Sequence, residues 1–163
     1  MLASYRVNNQ TAVQRGNPIT GSKTVPSLKN LTSKSVADLN ALRPAKVYGG
    51  NDISFFGMSL SDGQKALSDT DADEEYVLPL NITKINMFII KDEWWFHSMV
   101  FYGDSELHIG LTPEMDKKTH DDEYRKGRQE TFVVPAGERL LGCEIFHLEN
   151  GYMRAISWIT CKK

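Results

Sequence analysis

From Val47 onward the pattern of hydrophobic positions is typical of β-strands, and residues 106–111 alternate between apolar and polar. Short runs rich in β-branched and aromatic residues are separated by turn signals roughly every 8–12 residues. Asn150-Gly151, between two apolar runs, is the strongest hairpin signal in the chain. Strands do not alternate with helices, so the pattern predicts antiparallel sheets. The clearest predicted strands are 82–90, 94–102, 106–111, 131–134, 139–147 and 153–160.

A change in composition near Pro44 divides the chain into two parts. Residues 46–163 are predicted to form one all-β domain, an antiparallel sandwich or prism-like fold. Residues 1–45 are predicted to form an extended basic arm, with six Lys or Arg against one acid, Asp38. The remainder carries the other thirteen basic residues and twenty acids, so a net charge of +5 precedes a net charge of −7. This contrast favours a protein that docks onto something else.

One stretch of the arm has helical periodicity. Val36, Leu39 and Leu42 recur three residues apart, and Ser35 precedes them as a capping residue. The pattern predicts a short helix at 35–43, which the following proline ends. A helix of this length is marginal in isolation, so its apolar side needs cover from the β domain or from a partner.

The rest of the arm is rich in Asn, Thr, Ser, Gly and Pro, and its apolar residues are isolated. Such a segment buries too little surface to fold by itself, so it is either disordered or ordered by a partner. We interpret the chain as a non-enzymatic structural or adaptor subunit of a larger assembly, docked through this arm. Removal of residues 1–45 is then expected to abolish docking and leave the β domain folded. The predicted partner-contact residues are Leu2, Val7, Val13, Ile19, Val25, Leu28 and Leu31.

The stretch 94–102 is the densest aromatic run in the chain. Two-residue periodicity sends alternate side chains to opposite faces, and both faces are bulky, so we expect this strand to be covered on both sides. Core packing is the simpler interpretation. The alternative is an exposed aromatic patch formed by Trp94 and Tyr102, which would bind a protein or a sugar.

Six short motifs follow one another across residues 48–160. They are Gly49-Gly50-Asn51, Ser61-Asp62-Gly63, Ile82-Thr83-Lys84-Ile85, Phe101-Tyr102-Gly103-Asp104, Phe132-Val133-Val134-Pro135-Ala136-Gly137-Glu138 and Ala155-Ile156-Ser157-Trp158-Ile159-Thr160. In type and order they resemble a jacalin-like lectin domain, which has a β-prism fold. The resemblance implies a carbohydrate-binding module as the alternative function.

The same resemblance implies where a sugar would lie. Gly49 and Gly50 match the opening glycines of the family, which form a turn close to the sugar. The family continues beyond the strand that ends near Thr160 into a segment with a Gly-x-x-x-Asp sugar-binding loop, and this chain ends at Lys163. The resemblance is therefore partial, and no sugar-binding residue is carried over from that segment.

No pattern in the chain indicates a catalytic or metal site. The acidic run beginning at Asp69 fails as a calcium loop, because Glu74 occupies the position that requires Gly and Leu80 the position that requires Glu. His97 and His108 would approach each other in a hairpin, and a metal site there would still need a third ligand such as Glu106, so we interpret them as ordinary strand residues. We expect no cofactor, no metal and no enzymatic activity.

The composition also narrows the class of partner. A net charge of −2 argues against a nucleic-acid partner, and no apolar run reaches the roughly 18 residues of a membrane-spanning helix. The start of the chain lacks the apolar segment of a secretory signal. Cys143 and Cys161 are expected to be buried free thiols, with a disulfide as the alternative. The predicted location is intracellular, and the predicted partners are protein subunits, with a glycan as the alternative.

Overall fold

The computed structural model describes residues 12–15, 23–24, 41–49, 56–68, 72, 74–90, 95–110, 128–147 and 153–163. Within these ranges the chain forms twelve β-strands and no helix, and the strands pair antiparallel. The predicted all-β, antiparallel fold is confirmed. The strands are β1 (Ala12–Arg15), β2 (Lys23–Thr24), β3 (Pro44–Gly49), β4 (Phe56–Leu60), β5 (Lys65–Leu67), β6 (Glu74–Val77), β7 (Lys84–Ile90), β8 (Trp95–Tyr102), β9 (Glu106–Gly110), β10 (Arg128–Val133), β11 (Glu138–His147) and β12 (Met153–Lys162).

These strands form three sheets of four strands each. The β3–β6 sheet has the order β5-β4-β3-β6, and the β7–β10 sheet has the order β10-β7-β8-β9. The third, which we call the terminal sheet, has the order β1-β12-β11-β2 and joins the first two strands to the last two. In the first two sheets the fourth strand returns beside the first, which is the Greek-key order. The terminal sheet has that order too if its strands are counted from β11.

The inner faces of the three sheets share one hydrophobic core. Trp158 of the terminal sheet meets Phe101 edge to face, with ring centroids 6.1 Å apart, and stacks on Phe132 at 6.2 Å. Met58 Sδ of the β3–β6 sheet lies 3.8 Å from Cys143 Sγ of the terminal sheet. These contacts join the terminal sheet to each of the other two sheets.

Two segments of the predicted arm belong to the terminal sheet. β1 pairs with β12, where Val13 lies opposite Thr160, and β2 pairs with β11, where Thr24 lies opposite Phe146. They are the two outer strands of that sheet, so these parts of residues 1–45 complete the β domain. The other predicted partner-contact residues of the arm, which lie outside the described residues, are Leu2, Val7, Ile19, Val25, Leu28 and Leu31.

The β domain starts slightly earlier than the sequence predicts. β3 begins at Pro44, two residues before the expected boundary. Most of the predicted helix at 35–43 lies outside the described residues, but Ala41 lies in a turn and the next two residues are not helical. The Ser61 N–H donates to the Arg43 carbonyl oxygen at 2.7 Å, which binds this segment to the β4–β5 turn.

Backbone hydrogen bonds connect the turns at one end of the β domain, which we call the base. The Asp104 N–H in the β8–β9 turn donates to the Leu80 carbonyl oxygen at 2.9 Å. After β10, the Val134 N–H donates to the Thr83 carbonyl oxygen at 2.9 Å. Gly103 is required in this network because a Cβ there would overlap the Leu80 carbonyl oxygen. The base is therefore held by backbone contacts between turns that are distant in sequence.

Candidate functional site: a groove at the base

A groove of about 270 Å³ opens at the base of the β domain. It is bounded by the start of β3, the connection from β6 to β7 and the turn between β10 and β11. Its lining comes from residues 43–44, 79–83, 134–140 and 163, which place proline and aliphatic side chains beside charged ones. The volume approaches the lower limit of small-ligand pockets, which begin at about 300 Å³.

Two turn residues with left-handed backbone shape the walls of the groove. Asn81 has a φ of 55°, which Asn tolerates better than most residues, and its side-chain amide donates to Asp104 Oδ2 at 3.0 Å. Gly137 has a φ of 78° in the turn before β11. The wall formed by residues 79–83 is thus held to the β8–β9 turn by both backbone and side chain.

Two arginine side chains converge on one backbone atom at the groove. Arg43 Nη1 and Arg139 Nη1 each donate to the Leu42 carbonyl oxygen at 2.9 Å. Arg43 is also fixed through its backbone, because its N–H donates to Ser61 Oγ at 2.8 Å. The two guanidinium groups therefore lie side by side although their residues are far apart in the sequence.

The convergence of these charges has electrostatic consequences. Burial lowers the pKa of Arg139, and the like charge of Arg43 lowers it further. Burial raises the pKa of the Cys161 thiol, an effect that the two nearby arginines oppose. Glu138 Oε1 accepts a hydrogen bond from the Thr160 hydroxyl at 2.6 Å. Among the lining residues that the structure describes, Arg43, Arg139 and Lys163 have basic side chains and Glu138 has an acidic one.

Large apolar side chains are exposed around the base. Leu80 lines the groove and is 70% exposed, and Val133, next to the lining residue Val134, is 61% exposed. Val77, at 72%, is equally exposed but lies outside the groove lining. Exposed apolar residues beside arginines are typical of surfaces that bind other molecules.

The predicted aromatic patch is described only at Tyr102, since Trp94 lies outside the described residues. Tyr102 is half-buried at the end of β8, and Lys84 Nζ lies 4.4 Å from the centre of its ring. Its hydroxyl accepts a hydrogen bond from Asn86 Nδ2 at 3.3 Å. Lys84 therefore occupies one face of the ring. Residues 98–102 show a buried inner face and a half-exposed outer face apart from Ser98, so the expected cover on both sides is not found there.

Of the two glycines predicted to lie near a sugar, the structure describes Gly49 only. Gly49 is buried at the end of β3 and pairs with Phe56 on one side and Glu74 on the other. It is therefore part of a sheet interior and not of a turn. Gly50 lies outside the described residues.

Two of the polar side chains that the sequence offers as metal ligands, His108 and Glu75, each pair with a neighbouring charged side chain instead. His108 Nε2 lies 3.2 Å from Glu106 Oε2 at the exposed edge of the β7–β10 sheet. Glu75 of the acidic run pairs with Lys46 at 3.2 Å. Among the residues that the structure describes, no three His, Cys, Asp or Glu side chains are grouped to hold a metal ion. Cys143 and Cys161 are both free and buried, as expected.

The groove could not be found from the sequence. Pro79 and Pro135 lie among turn residues, so the sequence indicates a connection between strands at each of them. It does not indicate that these two connections lie close together in the fold. The sequence places Arg43 among the six basic residues of the arm and Arg139 in the predicted strand 139–147. Their convergence depends on the pairing of β3, β11 and β12, which is a tertiary property.

No protein-family model and no curated protein sequence matches this chain. Among solved structures, the chain is similar to the V. cholerae biofilm matrix protein Bap1, with a TM-score of 0.50 and 13% sequence identity. The match covers 74% of this chain and 21% of the Bap1 chain. At this identity the similarity concerns the fold alone. In the described ranges, no helix has the length and apolar character needed to cross a membrane.

Proposed function

We propose that this chain is a non-enzymatic binding module that serves as a structural or adaptor subunit of a larger assembly, one that the sequence predicts to be intracellular. The observation that carries the proposal is the groove at the base, where apolar side chains and two arginines lie together at the surface. Arginine and exposed apolar residues are enriched where proteins dock, because they combine desolvation with directional hydrogen bonds.

The architecture supports a binding role in a second way. The groove is built from turns that backbone hydrogen bonds hold in place, so a partner would meet a preformed surface and lose little entropy in ordering it. The fold of the chain matches one part, 21%, of the much longer matrix protein Bap1, so such a fold can be one portion of a larger protein.

The test is whether a tagged full-length chain joins a complex through the groove. In native lysate separated by size, we expect the chain to elute well above its own mass of 18.4 kDa. Leu80→Ser should shift it toward the monomer position, while Val77→Ser, equally exposed but outside the groove, should not. Elution of the unaltered chain as a monomer would contradict the proposal.

A carbohydrate-binding module remains the second candidate, and one observation favours it. The sequence suggested an incomplete prism, whereas β1 and β2 bring the terminal sheet to four strands, like the other two sheets. Full-length chain applied to an array of immobilised glycans should then bind saturably and be released by the matching free sugar. Absence of binding above background would remove this candidate.

A further inference from the structure

We propose that the groove at the base binds an acidic peptide segment, with a peptide carboxylate at the Arg43 and Arg139 guanidinium groups and an adjacent apolar side chain against Leu80. The inference rests on the binding function proposed above and adds the chemistry of the partner. Three properties of the groove support it: the geometry of the two arginines, the local sign of the charge and the neighbouring apolar surface.

The first property is the geometry of the arginine pair. Both guanidinium groups donate to the Leu42 carbonyl oxygen at 2.9 Å, so they are held close together. A carboxylate beside the pair would interact favourably with both charges at once. The planar N–H fork of arginine matches the two oxygens of a carboxylate, which favours this anion over a spherical one.

The second property is the charge contrast between the groove and its surroundings. The described lining has three basic side chains and one acidic side chain, whereas the whole chain has nineteen basic and twenty-one acidic residues. An acidic ligand is therefore favoured at the base over the average surface of the chain. Such contrast directs a charged partner to one site more than it adds to affinity.

The third property distinguishes a peptide from a small free anion. Leu80 is 70% exposed in the lining, which also contains Pro79, Val134 and Pro135. Next in sequence to the lining residue Val134, Val133 is also exposed. The lining thus combines apolar surface with the two arginines, so a ligand that uses both must carry an apolar group near its carboxylate. Alternating apolar and acidic residues in a peptide meet that requirement.

The experiment measures fluorescence anisotropy of labelled eight-residue peptides added to the full-length chain. The probe alternates Leu and Glu, and its matched controls alternate Leu with Gln and Ser with Glu. We expect saturable binding of the Leu–Glu peptide and at least about tenfold weaker binding of each control, because the Leu–Gln peptide lacks the charge-assisted hydrogen bonds and the Ser–Glu peptide lacks the apolar contact. Binding should also weaken as salt screens the carboxylates.

Variants of the chain locate the binding site. Arg43→Gln removes one exposed guanidinium, and Arg139→Lys retains charge but loses the fork, so each should weaken Leu–Glu binding about tenfold. Leu80→Ser should weaken it comparably. Lys84→Gln and Val77→Ser change similar side chains outside the lining and should leave it unchanged. Thermal melting of each variant establishes that it remains folded.

Peptides with a free or an amidated C-terminus separate the two sources of a carboxylate. Equal binding of both forms assigns the site to acidic side chains, and loss on amidation assigns it to a chain end. Absence of saturable binding, equal binding of the Leu–Gln peptide, or binding that survives all three groove variants would overturn the inference. A chain that fails these tests but still elutes in a groove-dependent complex would retain the proposed function with a partner of different chemistry.

Discussion

The β7–β10 sheet and the terminal sheet bury their residues in different ways. In β7, Ile85 and Met87 are fully buried, while the residues between and beside them are half-exposed, which is the alternation of a sheet with one solvated face. In the terminal sheet, every residue from 140 to 146 and from 156 to 161 is buried, including Glu144. Both faces of β11 and β12 are therefore shielded from water.

The two sheets also differ in where their strands come from. The β7–β10 sheet is built from four consecutive strands, whereas the terminal sheet combines β1 and β2 with β11 and β12. Its pairs join residues near the start of the chain to residues near its end, as Val13 joins Thr160. The β7–β10 sheet can thus form from neighbouring sequence, while the terminal sheet requires both ends of the chain.

Among the changes that test this difference between the two sheets, removal of the first 24 residues should have the largest effect on stability. It deletes β1 and β2, and leaves the edges of β12 and β11 without their partners. We expect a loss of about 3 kcal/mol or more in the free energy of unfolding, from the missing backbone pairs, together with aggregation through the exposed edges. Urea denaturation and light scattering measure both effects.

The control for this deletion removes residues 1–11 only and leaves both strands in place. The original hypothesis of a separable arm predicts that the two truncations are equally stable. That result would show that β1 and β2 contribute nothing to the domain. It would also support the hypothesis that residues 1–45 form a separate docking segment.

Two substitutions, one in each of these sheets, should show the next largest difference in stability. Ile159 neighbours the inward-facing Trp158 in β12 and is fully buried, so Ile159→Ala should cost about 2–5 kcal/mol of stability. Val100 holds the outer face of β8 and is half-exposed, so Val100→Ala should cost less than about 1.5 kcal/mol. Equal losses in urea denaturation would mean that the two positions do not differ in burial.

The smallest predicted effect is on the ionisation of Tyr76, which lies in β6, the solvated edge strand of the β3–β6 sheet. The Tyr76 hydroxyl donates to Glu74 Oε2 at 2.6 Å, and this hydrogen bond, followed by burial and the charge of Glu74, raises the pKa of Tyr76 to about 12. The stabilisation is therefore present below the ordinary tyrosine pKa of about 10 and is lost as the pH rises through about 12.

Ultraviolet absorbance of tyrosinate measures this titration. The difference between the unaltered chain and Tyr76→Phe should report one group that ionises near pH 12. Glu74→Gln should move that ionisation toward the ordinary value, since it removes the charge that the phenolate would face. A Tyr76 that ionises near pH 10 in the unaltered chain would show that the hydrogen bond does not persist in solution.

The strands predicted from sequence are those with a strong local signal. The predicted strand 139–147 is observed as Glu138–His147, and 153–160 as Met153–Lys162, because apolar residues and a hairpin signal mark both. The predicted strands begin at residue 82, so β1–β6 have no counterpart among them. β1 and β2 are short and polar, and their stability comes from partners more than one hundred residues away. The groove was missed for the same reason, since only the tertiary fold brings Arg43 to Arg139.

The central claim is that the start and the end of the chain form one sheet, and cysteine cross-linking tests it most directly. Ala12 lies opposite Cys161 in the register of β1 and β12, and directly opposed strand residues have Cα separations of about 4.5–5.5 Å, within the range of a disulfide. Mild oxidation of Ala12→Cys should therefore yield an intramolecular disulfide to Cys161, detected by mass spectrometry. Val13→Cys, one residue out of register and on the opposite face, should not yield it. A failure of Ala12→Cys to cross-link, or equal cross-linking by both variants, would contradict the terminal sheet.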